Sequence, residues 1–178
     1  MQPWCLFLAA VNVAGTGLLK MEALRAALTA AGFAEVRTVL ASGNVTLRTA
    51  LNAAALRAQV EAILAGLVGK PVPVVLRTPA QLDLLLAAVA PLEASTPEGA
   101  TQAVTLFDRV PTADAWAKLA AFDTRGDVVV PLGDAILVTY GQGQGETMLT
   151  RAKLERLLGV TATARNTNTL RKVRALVG

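Results

Sequence analysis

Hydrophobic and polar positions follow one order along this chain twice, once over residues 4–77 and again over residues 101–164. Each block has the pattern of a strand, a helix, a strand pair, a second helix and a last strand. Short continuous apolar runs are typical of buried strands, and apolar residues three or four apart are typical of helices with one buried face. The pattern therefore predicts an α+β protein built from two small units.

The first block begins with the apolar run at residues 4–11, which is typical of a central strand. A helix is predicted over residues 20–31. Strands over residues 35–41 and 45–48 are joined at Ser42-Gly43-Asn44, because Gly and Asn tolerate the positive φ angles of a tight hairpin. A helix then follows Asn52 and ends at Gly66 or Gly69, and a strand covers residues 72–77.

Between the blocks, residues 78–81 have the sequence of a capping box, so a connecting helix is predicted after Thr78. Residues 91–100 are poor in large apolar side chains and are predicted to form a surface loop. The second block then predicts strands at residues 103–107, 127–130, 135–140 and 160–164, a helix around Trp116 and Leu119, and a helix at 150–158. A last helix has its apolar stripe at Leu170, Val173 and Val177.

The element order of each block, βαββαβ, is that of the ferredoxin-like plan, an antiparallel four-stranded sheet with two helices on one face. The expected domains are a first unit at 1–78, a connecting helix and loop at 79–100, and a second unit with an extra helix at 101–178. No residue-level repeat is visible between the halves. The competing interpretation is one mixed α/β sheet.

Composition limits the class of protein. With 53% hydrophobic residues the chain can bury a sizeable core, yet none of its apolar runs approaches the roughly 20 residues that span a bilayer. The N-terminus lacks the basic segment of a signal peptide, so a cytoplasmic location is expected. Cys5 lies within a predicted strand, where a buried, inert thiol is expected.

The chain has no histidine, which excludes Ser/His/Asp and Cys/His catalytic groups. Zinc sites are excluded as well, because they need several thiolates or imidazoles and the chain has one cysteine. The carboxylates are scattered without a spacing that demands a shared site. No metal and no cofactor are therefore expected, although Mg²⁺ held by oxygen atoms remains chemically open.

Four segments are candidates for function, and each has a purely structural alternative. The glycine run at 141–145 is either a flexible connection or an anion-binding loop. The loop after the first strand, which contains Asn12, and the turn at Ser42-Gly43-Asn44 are either tight connections or ligand contacts. Residues 165–174 carry four cations that form a solvated helix face, an anion site or a nucleic-acid contact. Only 4% of the residues are aromatic, which argues against base stacking.

Several of these segments together resemble the bacterial domain-of-unknown-function 1697 family. The resemblance lies in residues 8–15, 21–25, 32–38 and 42–45 at the start of the chain, and in residues 153–160 and 163–169 near its end. It implies two ferredoxin-like units and no established activity. The chain departs from the usual family pattern at Ala9, Ala10, Ala14 and Thr167, and at residues 145–148, where a basic stretch is replaced. Any anion bound by the family is then expected to bind weakly here, or to be replaced by another ligand.

The main functional hypothesis is a non-enzymatic protein that binds a small polar or anionic ligand in the cleft between the two units. Its expected ligand-binding residues are Asn12, Ser42, Asn44, Arg165 and Asn166. The alternative is a Mg²⁺-dependent enzyme that acts on a phosphorylated substrate. Nucleic-acid binding is a weaker alternative and would show a steep dependence of affinity on salt. No membrane partner is expected.

Overall fold

The computed structural model describes residues 1–9 and 19–177. Its contacts divide the chain into two compact units. The first unit comprises Met1–Asp83 and Arg171–Gly178, and the second comprises Leu84–Leu170. The domain bounds expected from the sequence, 1–78, 79–100 and 101–178, stay a prediction.

The first unit is an antiparallel four-stranded sheet with the strand order β2-β3-β1-β4. Its helices α1 and α2 follow β1 and β3 in the chain, and α2 begins at Asn52, whose side chain accepts a hydrogen bond from Ala55 N, and ends at Gly69 in the left-handed region. The elements are β1 (Gln2–Leu8), α1 (Met21–Ala30), β2 (Ala34–Val39), β3 (Asn44–Thr49), α2 (Ala53–Val68) and β4 (Val74–Arg77).

The second sheet has the corresponding order, β6-β7-β5-β8, and is also antiparallel throughout. Helices α4 and α5 are both capped by threonine, at Thr112 and Thr150. The remaining elements are α3 (Pro79–Ala94), β5 (Thr101–Phe107), α4 (Ala113–Ala120), β6 (Val128–Pro131), β7 (Ala135–Tyr140), a 3₁₀ turn (Gln144–Glu146), α5 (Arg151–Leu158), β8 (Ala162–Arg165) and α6 (Thr167–Ala175). The described residues thus form an α+β structure with two sheets and six α-helices.

The registers of three strands in each sheet match residue for residue, whereas β2 has a register shift between Ala34 and Arg37 that its counterpart β6 does not have. In the first sheet β1 pairs with β3 from Gln2↔Thr49 onward, and in the second β5 pairs with β7 from Thr101↔Tyr140 onward. The pairings with the fourth strands correspond in the same way, because Cys5↔Arg77 matches Val104↔Arg165. A residue-level correspondence that the sequence alone does not show is therefore present in the pairing.

An arginine ends the fourth strand of both sheets. Arg77 donates to the carbonyl of Leu76 and Arg165 to that of Ala164, both at 2.7 Å. The residue after each arginine caps the next helix, Thr78 for α3 and Asn166 for α6. The strand-arginine-cap-helix sequence is thus repeated at equivalent places.

Each sheet packs one face against its own pair of helices. In the first unit, Trp4, Leu6 and Leu8 of β1 belong to a core that includes Leu24 of α1 and Leu56 of α2. In the second unit, the core contains strand residues from β5, β7 and β8 together with helix residues from α4 and α5; among them are Ala103, Phe107, Ile136, Val138, Leu119 and Leu154. Alternation along the strands places these strand residues on one face. The intervening residues of the central strands, such as Phe7 and Leu106, are fully buried as well.

The surface loop predicted at 91–100 is shorter in the structure, because α3 continues to Ala94 with Pro91 inside it. Proline removes one backbone donor from the last turns of the helix. At the C-terminal end of the helix, the hydroxyls of Ser95 and Thr96 both donate to the carbonyl of Leu92, at 3.0 and 2.7 Å. In the described ranges, none of the helices has the length and hydropathy needed to cross a bilayer.

The capping box predicted for α3 is formed in both directions. Gln81 N donates to Thr78 Oγ1 at 3.2 Å, and Thr78 N donates to Gln81 Oε1 at 2.8 Å. We expect Thr78→Ala to lower the free energy of unfolding by about 1 kcal/mol, the usual cost of a lost N-cap. Urea unfolding measures this change. Thr78→Ser is the control, since it keeps the hydroxyl, and equal losses in both variants would contradict a role for the cap.

Candidate functional site

The two units differ in the length of the connection that follows the second strand of each hairpin. Between β3 and α2 it has three residues, 50–52, whereas between β7 and α5 it has ten, 141–150. The longer connection contains the glycine run at 141–145, and it forms the 3₁₀ turn Gln144–Glu146. The second unit thus carries a loop that the first unit lacks.

The carboxylate of Asp127, just before β6, holds this loop. Asp127 Oδ1 accepts a hydrogen bond from Gly141 N at 3.0 Å, and Oδ2 accepts one from the hydroxyl of Thr147. Thr147 Oγ1 in turn accepts from Leu149 N at 3.0 Å. Asp127 is only 9% exposed. One buried carboxylate therefore fixes both the first residue of the loop and its return toward α5.

Gly141 is needed for close backbone approach. A Cβ atom at this position would lie 2.7 Å from the carbonyl oxygen of Gly126, a distance that side chains do not tolerate. Gly145, in the same loop, has open space around the equivalent position. The first glycine of the run is thus required by packing, and the third is not.

Under the loop lies a pocket of about 260 Å³ in the second unit. Its floor is the helix-covered face of the sheet, which contributes Thr105, Tyr140 and Ala164. Its other walls come from the loop and from the first turns of α5, namely Gln144, Thr147, Leu149, Thr150, Arg151 and Leu154. We call it the Tyr140 pocket.

Several polar side chains that can donate hydrogen bonds line the Tyr140 pocket. Thr105, a residue of the sheet face, is only 4% exposed. Thr150 Oγ1 accepts from Lys153 N at 3.3 Å as the cap of α5, so its proton remains available to a ligand. Arg151 is the one charged side chain among the described lining residues, and it pairs loosely with Glu155 at 3.4 Å. The lining is therefore neutral to positive.

The phenol of Tyr140 is held in its neutral form. Burial raises the pKa of Tyr140 above its ordinary value of 10.0, and the negative charge of Asp127 raises it further. A hydrogen bond with the side chain of Gln144 acts weakly in the opposite direction. Tyr140 is thus a donor to the pocket at neutral pH rather than a phenolate base.

Two of the predicted ligand-binding residues, Ser42 and Asn44, lie together in the hairpin turn of the first sheet. Asn44 is fully buried and donates through Nδ2 to the carbonyl of Val39 at 2.9 Å and to Ser42 Oγ at 3.0 Å. These bonds close the turn around Gly43, whose φ is 77°. Asn12, nominated with them, lies outside the described residues.

Two further predicted ligand-binding residues, Arg165 and Asn166, lie at the C-terminal end of β8. Arg165 donates to Thr163 Oγ1 at 2.8 Å as well as to its neighbouring carbonyl, and burial lowers its pKa to about 10. Asn166 Oδ1 accepts from Thr169 N at 2.7 Å and so caps α6. The two nominated pairs belong to different units, and the joint site of the five residues stays a prediction.

The described residues give little support for a metal site. Across residues 1–9 and 19–177, His, Cys, Asp and Glu side chains do not gather in threes. The thiol of Cys5 is buried, and desolvation raises its pKa to about 12, so it stays protonated at neutral pH. Neither observation favours a thiolate or carboxylate metal centre.

Sequence reasoning missed Thr105, Tyr140, Thr147 and Arg151 as pocket residues. Thr105, Tyr140 and Arg151 belong to no recognisable motif, and Thr147 was noted only as part of the departure from the family pattern at 145–148. The available signal was the length of the connection at 141–150, which exceeds that of the corresponding connection at 50–52. Loops that exceed the length needed for connection are common places for function.

Gly141→Ala tests the close approach between Gly141 and Gly126. The added methyl must displace the Gly126 carbonyl or pull Gly141 N away from Asp127, so we expect a loss of about 1–3 kcal/mol in the free energy of unfolding. Gly145→Ala is the matched control and should change stability by less than about 0.5 kcal/mol. Urea unfolding of both variants gives the comparison, and equal stabilities would contradict the packing role of Gly141.

The titration of Tyr140 tests the charge of Asp127. Because the chain has one tyrosine, the near-ultraviolet absorbance of phenolate reports this group alone. We expect the folded protein to titrate above 10.0 and Asp127→Asn to titrate at a lower pH than the unmodified chain. Asp114→Asn, which removes an exposed carboxylate of α4, should leave the titration unchanged.

The same shift makes stability depend on pH. The folded state holds the phenolic proton more tightly than the unfolded state does, so the free energy of unfolding should fall as pH rises above 10.0. It should stop falling once the folded-state phenol ionises. A phenol that titrates at or below 10.0 in the folded protein would contradict its burial beside Asp127.

Comparison with solved structures finds a similar chain in the conserved bacterial protein SP0830 from Streptococcus pneumoniae. The two share 18% sequence identity with a TM-score of 0.70, over 99% of this chain and 98% of the other. At that identity the likeness concerns the fold alone. None of the curated proteins matches this chain.

A family model described as a protein of unknown function, DUF1697, matches residues 1–136. The match covers the first sheet and ends at the start of β7 in the second. The family resemblance inferred from the sequence is thereby confirmed, although the match does not include residues 153–169, which carried its C-terminal part. The chain belongs to the DUF1697 family.

Proposed function

We infer that the two units are ferredoxin-like domains that arose by duplication. The support is the shared βαββαβ order, the equivalent strand orders, and the matched registers of the two sheets. The repeated arginine and helix cap after the fourth strand add residue-level support. Within this pair, the second unit has gained the loop that covers the Tyr140 pocket.

We propose that the protein binds a small polar or anionic ligand in the Tyr140 pocket. The observation that carries the proposal is the set of donors around one small cavity: the hydroxyls of Thr105, Tyr140 and Thr150, the amide of Gln144 and the guanidinium of Arg151. A ligand with several oxygen acceptors satisfies such a lining. An apolar ligand would leave the buried donors unpaired at a cost in affinity.

The size of the pocket limits the ligand. A cavity of about 260 Å³ has the volume of roughly nine water molecules at about 30 Å³ each, and it lies just below the usual range for drug-sized ligands. The occupant is therefore a small metabolite rather than a nucleotide or a peptide. Leu149, Leu154 and Ala164 supply an apolar wall for its carbon atoms.

Charge favours an anion over a cation. Arg151 is the one ionised group among the described lining residues, and the pocket lies at the N-terminal end of α5, where the helix dipole adds positive potential. Arginine presents a planar pair of donors that matches a carboxylate or a phosphate. Arg151 and the helix N-terminus therefore favour a compact anion over a cation.

The lining favours binding over catalysis. Its described residues offer neither carboxylate, lysine nor thiol, and the one phenol has a raised pKa, so general-base chemistry at neutral pH has no suitable group there. The Mg²⁺-dependent alternative needs clustered acidic ligands, and the described residues do not supply a cluster of three. A binding protein is the simpler conclusion.

Binding is tested first by native mass spectrometry, which detects a small molecule retained on the purified protein. Calorimetric titration with inorganic phosphate, lactate and glycerol then compares a multivalent anion, a hydroxylated monoanion and a neutral polyol. We expect one of the anions to bind at least about tenfold more tightly than glycerol, since hydrogen bonds to charged groups contribute about 1.5–3 kcal/mol.

Two variants locate the site. Thr105→Val and Tyr140→Phe remove one hydroxyl each with little change of shape, and each should weaken anion binding by about fivefold or more. Thr46→Val is the matched control, a buried threonine of β3 in the other sheet, and it should bind as the unmodified chain does. Equal affinities in all four proteins, or no preference for an anion over glycerol, would refute the proposed site.

A further inference from the structure

The second unit contains a larger cavity that the proposed function does not use. It has a volume of about 570 Å³ and lies between α4 and the segment that leads into β6, so we call it the α4–β6 cavity. Its size falls within the range of about 300–1,000 Å³ that is usual for small-molecule sites. The Tyr140 pocket is separate from it in lining and in chemistry.

Apolar and aromatic groups form most of the walls of the α4–β6 cavity. Trp116 and Phe122 contribute ring surface, and Ala117 and Val129 contribute aliphatic surface. Trp116 packs against the buried Phe107 ring, with 6.2 Å between ring centroids and a tilt of 59°. Because this contact orients the indole before any ligand arrives, the aromatic wall is preorganised.

Asp127 is the one charged residue among the described residues that line this cavity. Asp127 directly precedes β6 and lines the cavity together with Val129 of that strand. Each carboxylate oxygen accepts one hydrogen bond from the loop, and a carboxylate has about four acceptor positions. Asp127 can therefore accept a further donor from a ligand.

We propose that the α4–β6 cavity binds a small aromatic or branched apolar molecule that carries a protonated amine. The apolar body packs against Trp116 and the aliphatic wall, and the ammonium donates to Asp127. Thr124 is the other polar lining residue, and its hydroxyl already donates to the carbonyl of Asp127 at 2.7 Å, so it presents acceptor character as well. An amine satisfies both groups, whereas a carboxylate is repelled by Asp127.

The ring of Phe122, unlike that of Trp116, already contacts a cation of the protein. Lys153 Nζ lies 5.3 Å from the centroid of its ring, in the range of a cation–π contact. Lys153 is not among the described lining residues. Trp116 is therefore the ring that we assign to the ligand, and Asp127 is the charged lining residue that we assign to its amine.

Three probes with the same body and different head groups test the class of ligand: phenethylamine, phenethyl alcohol and 3-phenylpropionate. Their affinities are measured by chemical-shift titration of the Trp116 indole N–H in the full chain. We expect the amine to bind about fivefold or more tightly than the alcohol, because its hydrogen bond is charge-assisted, and the acid to bind most weakly. Equal binding of amine and alcohol, tighter binding of the acid, or no binding of any probe overturns the proposal.

Two substitutions locate the probe. Ala117→Phe fills the cavity from an exposed position on α4 and should abolish amine binding, whereas Ala113→Phe, exposed on the same helix but outside the lining, should leave it unchanged. Asp127→Asn should remove the advantage of the amine over the alcohol. Asp127→Asn could also disturb folding, because Asp127 holds the loop. In that case the comparison of Ala117→Phe with Ala113→Phe still tests the proposal, and amine binding that survives Ala117→Phe overturns it.

Discussion

The buried carboxylate of Asp127 is the constraint on which the polar features of the second unit depend. It accepts hydrogen bonds from Gly141 and Thr147, and so it satisfies two donors that the inserted loop would otherwise bury unpaired. It also lines the α4–β6 cavity, and its charge raises the pKa of Tyr140 in the other pocket of this unit. Removing its charge would therefore change the loop, the phenol and the cavity wall together.

Most elements of the fold follow from local physics. The caps at Asn52, Thr78 and Thr150 and the left-handed glycines at Gly69 and Gly159 are short-range signals, so helix ends could be predicted from the sequence. The strands of both hairpins were predicted to within a few residues. The extension of α3 past Pro91 was missed, because side-chain bonds from Ser95 and Thr96 to Leu92 stabilise its last turn.

The candidate site was much less predictable, and the reason is physical. Ser42, Asn44 and Asn166 are the polar residue types that suggest ligand contacts, but the same side chains close turns and cap helices, and this structural use is what the described contacts show. The donors of the Tyr140 pocket come from β5, β7, the loop and α5, which the sheet register brings together. Such a juxtaposition depends on long-range pairing, which local sequence patterns do not encode.

The matched registers allow the two sheets to be compared position by position. Every position on β5 and β7 has a counterpart on β1 and β3. The first sheet therefore shows the same strand pairing with a connection of three residues instead of ten. At the place of Thr105 the first sheet has Leu6, and at the place of Tyr140 it has Thr49. Placing residues 141–150 between β3 and α2, with those two exchanges, would test whether the proposed pocket can be moved as a module from one unit to the other.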